Sequence, residues 1–244
     1  MNKELNIIIV LILVTFIVTF FYLFLASFPK NSDILPTVAG VSEQDESAEA
    51  SKHKILSQWW PLKVGARKRF TIQAKNLGQG VVEQVVVEKR KIGNLQAYRL
   101  RATHRYDSGQ MGIEELYVSP SAGKVEIPAR MTSGGDFGFY KPPMVFLSLP
   151  MAVGTQWSGK TELSETKKDG TPRPAIDIPW QGEIVAFEPV SVPAGRFTSC
   201  ARVENRVDGR FLTREWFAKD VGVVRREVLV GPDVMVLQEL VLSY

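Results

Sequence analysis

Two histidines, one cysteine and a pair of adjacent glutamates are the first places to look for reactive chemistry in this 244-residue chain. His53 stands between Lys52 and Lys54 in a polar stretch and reads as solvated. His104, in Arg101-Ala102-Thr103-His104-Arg105-Tyr106, lies on a strand amid basic neighbours, with no cysteine or carboxylate beside it in sequence. It reads as a surface or core strand residue rather than a metal ligand, since ligand sets cluster at characteristic spacings. Glu114 and Glu115 are neighbours on a strand and so point to opposite faces, which spoils them as an acid–base pair. Cys200 sits in an alternating run and reads as a small apolar core residue; an intermolecular bridge is the alternative. There is no Gly-x-Ser-x-Gly, phosphate loop, HExxH or EF-hand pattern. The expectation is therefore no catalytic residue, no metal site and no cofactor.

The elements that carry these residues alternate with period two. Val81-Val82-Glu83-Gln84-Val85-Val86-Val87-Glu88, Ala97-Tyr98-Arg99-Leu100-Arg101-Ala102 and Val223-Val224-Arg225-Arg226-Glu227-Val228 are examples. Turn pairs such as Gly93-Asn94, Ser108-Gly109, Asp169-Gly170 and Asp208-Gly209 bound them. No helical pattern of useful length follows residue 55. The fold class predicted is an all-β antiparallel sandwich or barrel.

Three regions divide the chain. Residues 7–28 form an uncharged apolar run, long enough as a helix to cross a hydrocarbon core of roughly 30 Å. The run exceeds a signal-peptide core and lacks a good cleavage site, so residues 1–29 read as an uncleaved membrane anchor helix. Residues 30–54, polar with clustered acids, read as a flexible acidic linker. Residues 55–244 read as one β-rich domain of sufficient size to bury a core. Lys3 and Lys30 nearly balance across the run, so orientation rests on the ease of exporting the domain behind a single N-terminal anchor. This places the domain outside the cytoplasm, on a single-pass anchor in the inner (cytoplasmic) membrane, with membrane lipid contacted through the anchor.

A formal net charge of +4 invites a nucleic-acid reading, which an extracytoplasmic location excludes. The basic runs Arg67-Lys68-Arg69 and Lys89-Arg90-Lys91 are flanked by strand-like residues and read as the wet face of a sheet. Attraction to anionic lipid heads is the alternative.

The β region repeats itself. Pro61-Leu62-Lys63-Val64-Gly65 resembles Pro150-Met151-Ala152-Val153-Gly154, and Glu115-Leu116-Tyr117-Val118 resembles Glu215-Trp216-Phe217-Ala218. Two similar halves packed as one domain are expected. The seam between them, residues 133–150, is rich in aromatics, glycine and proline. It reads as an irregular plug over an open sheet end, or alternatively as a ligand or partner surface. Trp59, Trp60, Phe137, Phe139, Tyr140 and Phe146 are the candidate surface, because aromatics dominate interface hot spots. Trp157 and Trp216 lie inside alternating strands and read as core.

The order of Trp60 to Gly65, Leu149 to Trp157, Val192 to Phe197, Trp216 to Val224 and Gln238 to Tyr244 resembles bacterial envelope domains and lipoproteins of the DUF3108-like or TapB-like kind. The resemblance implies a β-rich envelope domain and no catalytic residue. Two functions remain open: a tethered, non-catalytic protein that binds an envelope or membrane protein partner, and a binder of lipid or another hydrophobic ligand in a β cavity. An envelope hydrolase, the third reading, would need a site assembled from remote residues.

Overall fold

The structure is a computed structural model that describes residues 43–121, 123–209, 211–231 and 233–243. Helix α1 (Glu43–Trp59) precedes twelve strands: β1 (Arg67–Ala74), β2 (Gly78–Ile92), β3 (Leu95–Tyr106), β4 (Met111–Ser121), β5 (Lys124–Met131), β6 (Phe137–Ser148), β7 (Gln156–Thr166), β8 (Ile176–Val192), β9 (Gly195–Val207), β10 (Phe211–Ala218), β11 (Gly222–Val230) and β12 (Asp233–Ser243). Each strand pairs antiparallel with the next, and β1 pairs with β12, so the sheet closes into a barrel. Phe70, Ile72 and Ala74 of β1 are buried while Arg67, Arg69, Thr71 and Gln73 are exposed. Apolar side chains inside and polar ones outside is the reverse of a lipid-spanning barrel.

The two halves contribute six strands each and share a turn. Gly65 N–H donates to Val86 O, Ala66 N–H to Lys63 O and Val86 N–H to Ala66 O. In the second half Gly154 N–H donates to Ile184 O, Thr155 N–H to Ala152 O and Ile184 N–H to Thr155 O. Both glycines have positive φ, +89° and +84°, which a side chain would strain. One sequence match shifts by a residue: Leu116 faces Leu100 across β3–β4, whereas Glu215 faces Val203 across β9–β10. Glu115 accordingly turns outward to Arg99 and Arg101, and Glu215 turns inward.

Two expectations are corrected. Residues 43–54 are helical rather than flexible linker. Acids at 43, 45 and 46 fall in the first turn, a placement that suits the helix dipole. The helix is held by its end, where Leu56 and Trp60 are buried and Trp60 N–H donates to Leu56 O. That short apolar end explains why no amphipathic stripe is legible. The seam is likewise no irregular plug: residues 137–148 are strand β6, with Gly138 and Tyr140 buried and Phe139 and Lys141 exposed. Its Pro142-Pro143 lies just beyond Lys141, the last residue paired to β7, where no ladder N–H is lost. Leu56 and Trp60 cover the barrel end instead. The apolar run 7–28 lies outside the described residues. Among the described residues no helix is long and apolar enough to cross a membrane.

Candidate functional site

The interior of the barrel is filled unevenly, and the repeat explains why. Matching Gly65 with Gly154 and Val86 with Ile184 makes Lys68 the counterpart of Trp157 and Val82 the counterpart of Trp180. The registers agree: Lys68 faces Gln84 as Trp157 faces Gly182, and Phe70 faces Val82 as Gly159 faces Trp180. The second half therefore lays two indoles across its wall. The first half has smaller or polar groups there, and a cavity of about 190 Å³ lies against it.

Phe70, Ile72, Val82, Leu100, Val228 and Val236 form the apolar wall of this cavity. Its polar members come from several strands. Lys68 Nζ donates to Val221 O at 2.5 Å and Val223 O at 3.4 Å, and no carboxylate pairs with it among the described residues. Burial, with the Arg226 charge nearby, brings its pKa down to about 8. Arg226 donates to Glu215, which is fully buried and whose pKa burial pushes up against the pull of the guanidinium. Gln84 and Gln238 stand beside these cations as register partners of Lys68 and Arg226.

A second polar group lines the wall of β3 and β4. His104 is buried, 3.6 Å from Glu114, and neither ring nitrogen makes a hydrogen bond. Tyr106, two residues on, has its pKa pushed up to about 12 by burial and then by the Glu114 charge. The sequence showed no carboxylate beside His104. The β3–β4 register supplies one, by setting His104 opposite Gly112 and Glu114 opposite Ala102. Among the described residues no cluster of His, Cys, Asp and Glu has the makings of a metal site.

Arg130, the inward arginine of β5, pairs with Glu165 at 2.7 Å and lies over the Tyr140 ring. Arg173 binds Asp136 beside it. These carboxylates are committed to arginines, whereas among the described residues His104, the Tyr106 hydroxyl and Glu215 Oε2 keep unpartnered polar atoms and Lys68 is bonded only to backbone carbonyls.

The six candidate aromatics do not form one surface. Trp60 is buried against Phe146 and Phe217, with ring centroids 5.3 and 5.7 Å away. Tyr140 is also interior, and Trp60, Tyr140 and Phe146 together line the cavity, so half of the candidate set meets there. Trp59 meets Phe187 at 5.7 Å. Only Phe137 and Phe139 make an outer patch: their rings are 4.9 Å apart, Phe137 packs on Tyr117, and Phe139 is half exposed. Trp157 and Trp216 are buried. Lys68 is the cavity residue that sequence reading placed on the wrong face. Strict alternation through Arg67-Lys68-Arg69 was the available signal.

No protein-family model matches the chain, and no curated protein does. Among solved structures it is similar to a candidate exported protein with YmcC-like fold from Bacteroides fragilis. The TM-score is 0.53 at 15% identity, covering 76% of this chain and 98% of the other. The shared feature is the fold. A candidate lipoprotein from Parabacteroides distasonis gives a TM-score of 0.47 at 14% identity, over 76% and 98% of the two chains.

Proposed function

We propose that this chain is a non-catalytic envelope protein, tethered to the inner membrane by residues 7–28, whose barrel binds a small apolar molecule with an anionic head. The cavity carries this reading: an apolar chamber inside a closed barrel, with a half-buried lysine on its wall that lacks a carboxylate partner among the described residues. Volume narrows the ligand. A cavity of about 150 Å³ takes up a benzene ring, so this one suits a compact acid of about ten heavy atoms and is too small for a diacyl lipid. The resemblance of its motif order to DUF3108-like or TapB-like envelope domains fits the same reading.

The test is native mass spectrometry on the full-length protein in mild detergent. A bound small acid, lost on Lys68→Met and on Val82→Phe, supports the proposal. An empty barrel that also fails to bind an added library of short-chain and aromatic acids overturns it.

A second reading, docking of an envelope protein, is favoured by the outer Phe137–Phe139 patch. Crosslinking in intact membranes checks it: Phe139→Ala abolishes capture of the partner if the patch is the contact, and leaves it intact otherwise.

A further inference from the structure

One end of the barrel, which we call the helix end, carries an excess of exposed cations. Antiparallel closure brings the β2–β3, β4–β5, β6–β7, β8–β9 and β10–β11 turns together there, around the buried Leu56 and Trp60 of the α1 segment. The Asp220 N–H in the β10–β11 turn donates to Gln58 O of α1, which fixes the helix at this end.

Exposed cations gather on that end. Lys89, Arg90 and Lys91 form the tip of the β2–β3 hairpin, and Lys63, Lys124 and Lys219 rise from the neighbouring turns. Asp220 is the single acid in those turns, and Glu88 at the base of the hairpin tip lies 3.8 Å from Arg90. At the opposite end acids and bases are matched: Lys75 pairs with Asp233 at 2.7 Å, and Arg173 with Asp136.

Exposed apolar side chains stand on this end too, as Met111, Ile113 and Val234 do towards the other. Val64 and Val153 occupy equivalent positions in the two shared turns and are 50% and 61% exposed. Ile55, Phe187 and Leu242 add to them. Cations mixed with protruding apolar groups are what a bilayer interface selects, since the apolar groups enter the headgroup boundary while the cations meet anionic lipid.

We infer that the helix end of the barrel is a docking face for an anionic bilayer surface. The covalent route supports that occupant. Residues 29–42 join the apolar run to α1, a span of at most about 50 Å when fully extended, and α1 leads into this end and no other. The face is thus delivered to the membrane repeatedly, at an effective concentration that makes weak contacts count. Docked this way, the barrel turns its opposite end, with Met111 and Ile113, away from the bilayer.

The inference rests on the tether of the preceding section, and the experiment separates the two. Full-length protein is reconstituted into vesicles of phosphatidylcholine alone or with about one-third phosphatidylglycerol. A fluorophore is placed at position 153 (Val153→Cys) or, as control, at position 111 (Met111→Cys), and nitroxide-labelled lipid serves as quencher. The expected result is quenching at position 153 several-fold stronger in the anionic vesicles than in the neutral ones. It should be reversed by high salt and by Lys89→Glu with Lys91→Glu, while position 111 stays unquenched. Protein that floats with both vesicle types but shows no composition-dependent quenching at 153 keeps the tether and overturns the docking face. Protein that floats with neither overturns the tether itself. Protection at 153 that tracks protein concentration instead of lipid composition assigns the face to a second copy and also overturns the inference.

Discussion

Trp157 and Trp180 stand on adjacent strands, each facing a glycine of the other's strand, so that the indoles lie across Gly182 and Gly159. A Cβ on Gly182 would come within 2.3 Å of the Trp157 ring, and one on Gly159 within 2.4 Å of Trp180. Gly182→Ala and Gly159→Ala should each destabilise the barrel by about 1–3 kcal/mol through overpacking. Urea denaturation measures this, and a change below about 0.5 kcal/mol at both sites would show that the indoles are free to move aside.

Lys68 should work against stability at neutral pH. Its folded pKa of about 8 lies below the unfolded value of 10.5. Between these values the unfolded chain holds more protons, so stability rises with pH through this window, and the penalty is present in full below about 8. Lys68→Met should raise stability at pH 7 by at least about 1 kcal/mol, with the gain shrinking towards pH 10. Parallel denaturation curves at the two pH values check it; an equal gain at both would remove titration as the cause.

Glu215→Ala strands Arg226 inside the barrel without its carboxylate and should cost about 3–5 kcal/mol. Replacing both, Glu215→Leu with Arg226→Met, should cost clearly less, because no charge is left buried alone. Thermal unfolding of the single and double variants compares them. A double variant as unstable as the single would mean that the pair itself shapes the barrel.

Cys200 is fully buried, and burial, with the Glu188 charge nearby, pushes its pKa up to about 11. The native protein should resist iodoacetamide at pH 8 and react fully in denaturant, since the thiolate is the nucleophile. Mass spectrometry after a timed pulse reads both states. Rapid native labelling would place the thiol within reach of solvent.

What the sequence made legible is what repeats locally. Period-two burial, as in β1 and β7, and the turn glycines such as Gly65 and Gly154 follow from chain-neighbour geometry. Closure of the barrel does not, because Phe70 meets Leu240 across almost the whole chain and no local pattern encodes that pairing. The cavity groups were hidden for the same reason. His104 and Glu114 meet through hairpin register, and Lys68 reads as a surface cation until the inner face of β1 is known. Helix α1 was missed because tertiary contact at Leu56 and Trp60, more than any apolar stripe, holds it.

Closure by β12 on β1 also sets an order of events in the cell. Until the final strand arrives, β1 and β11 each present an open row of backbone donors and acceptors, so the nascent domain stays unfinished throughout synthesis. A chain cut short before residue 233 would keep two open edges, ready to pair with another chain and to be cut by proteases.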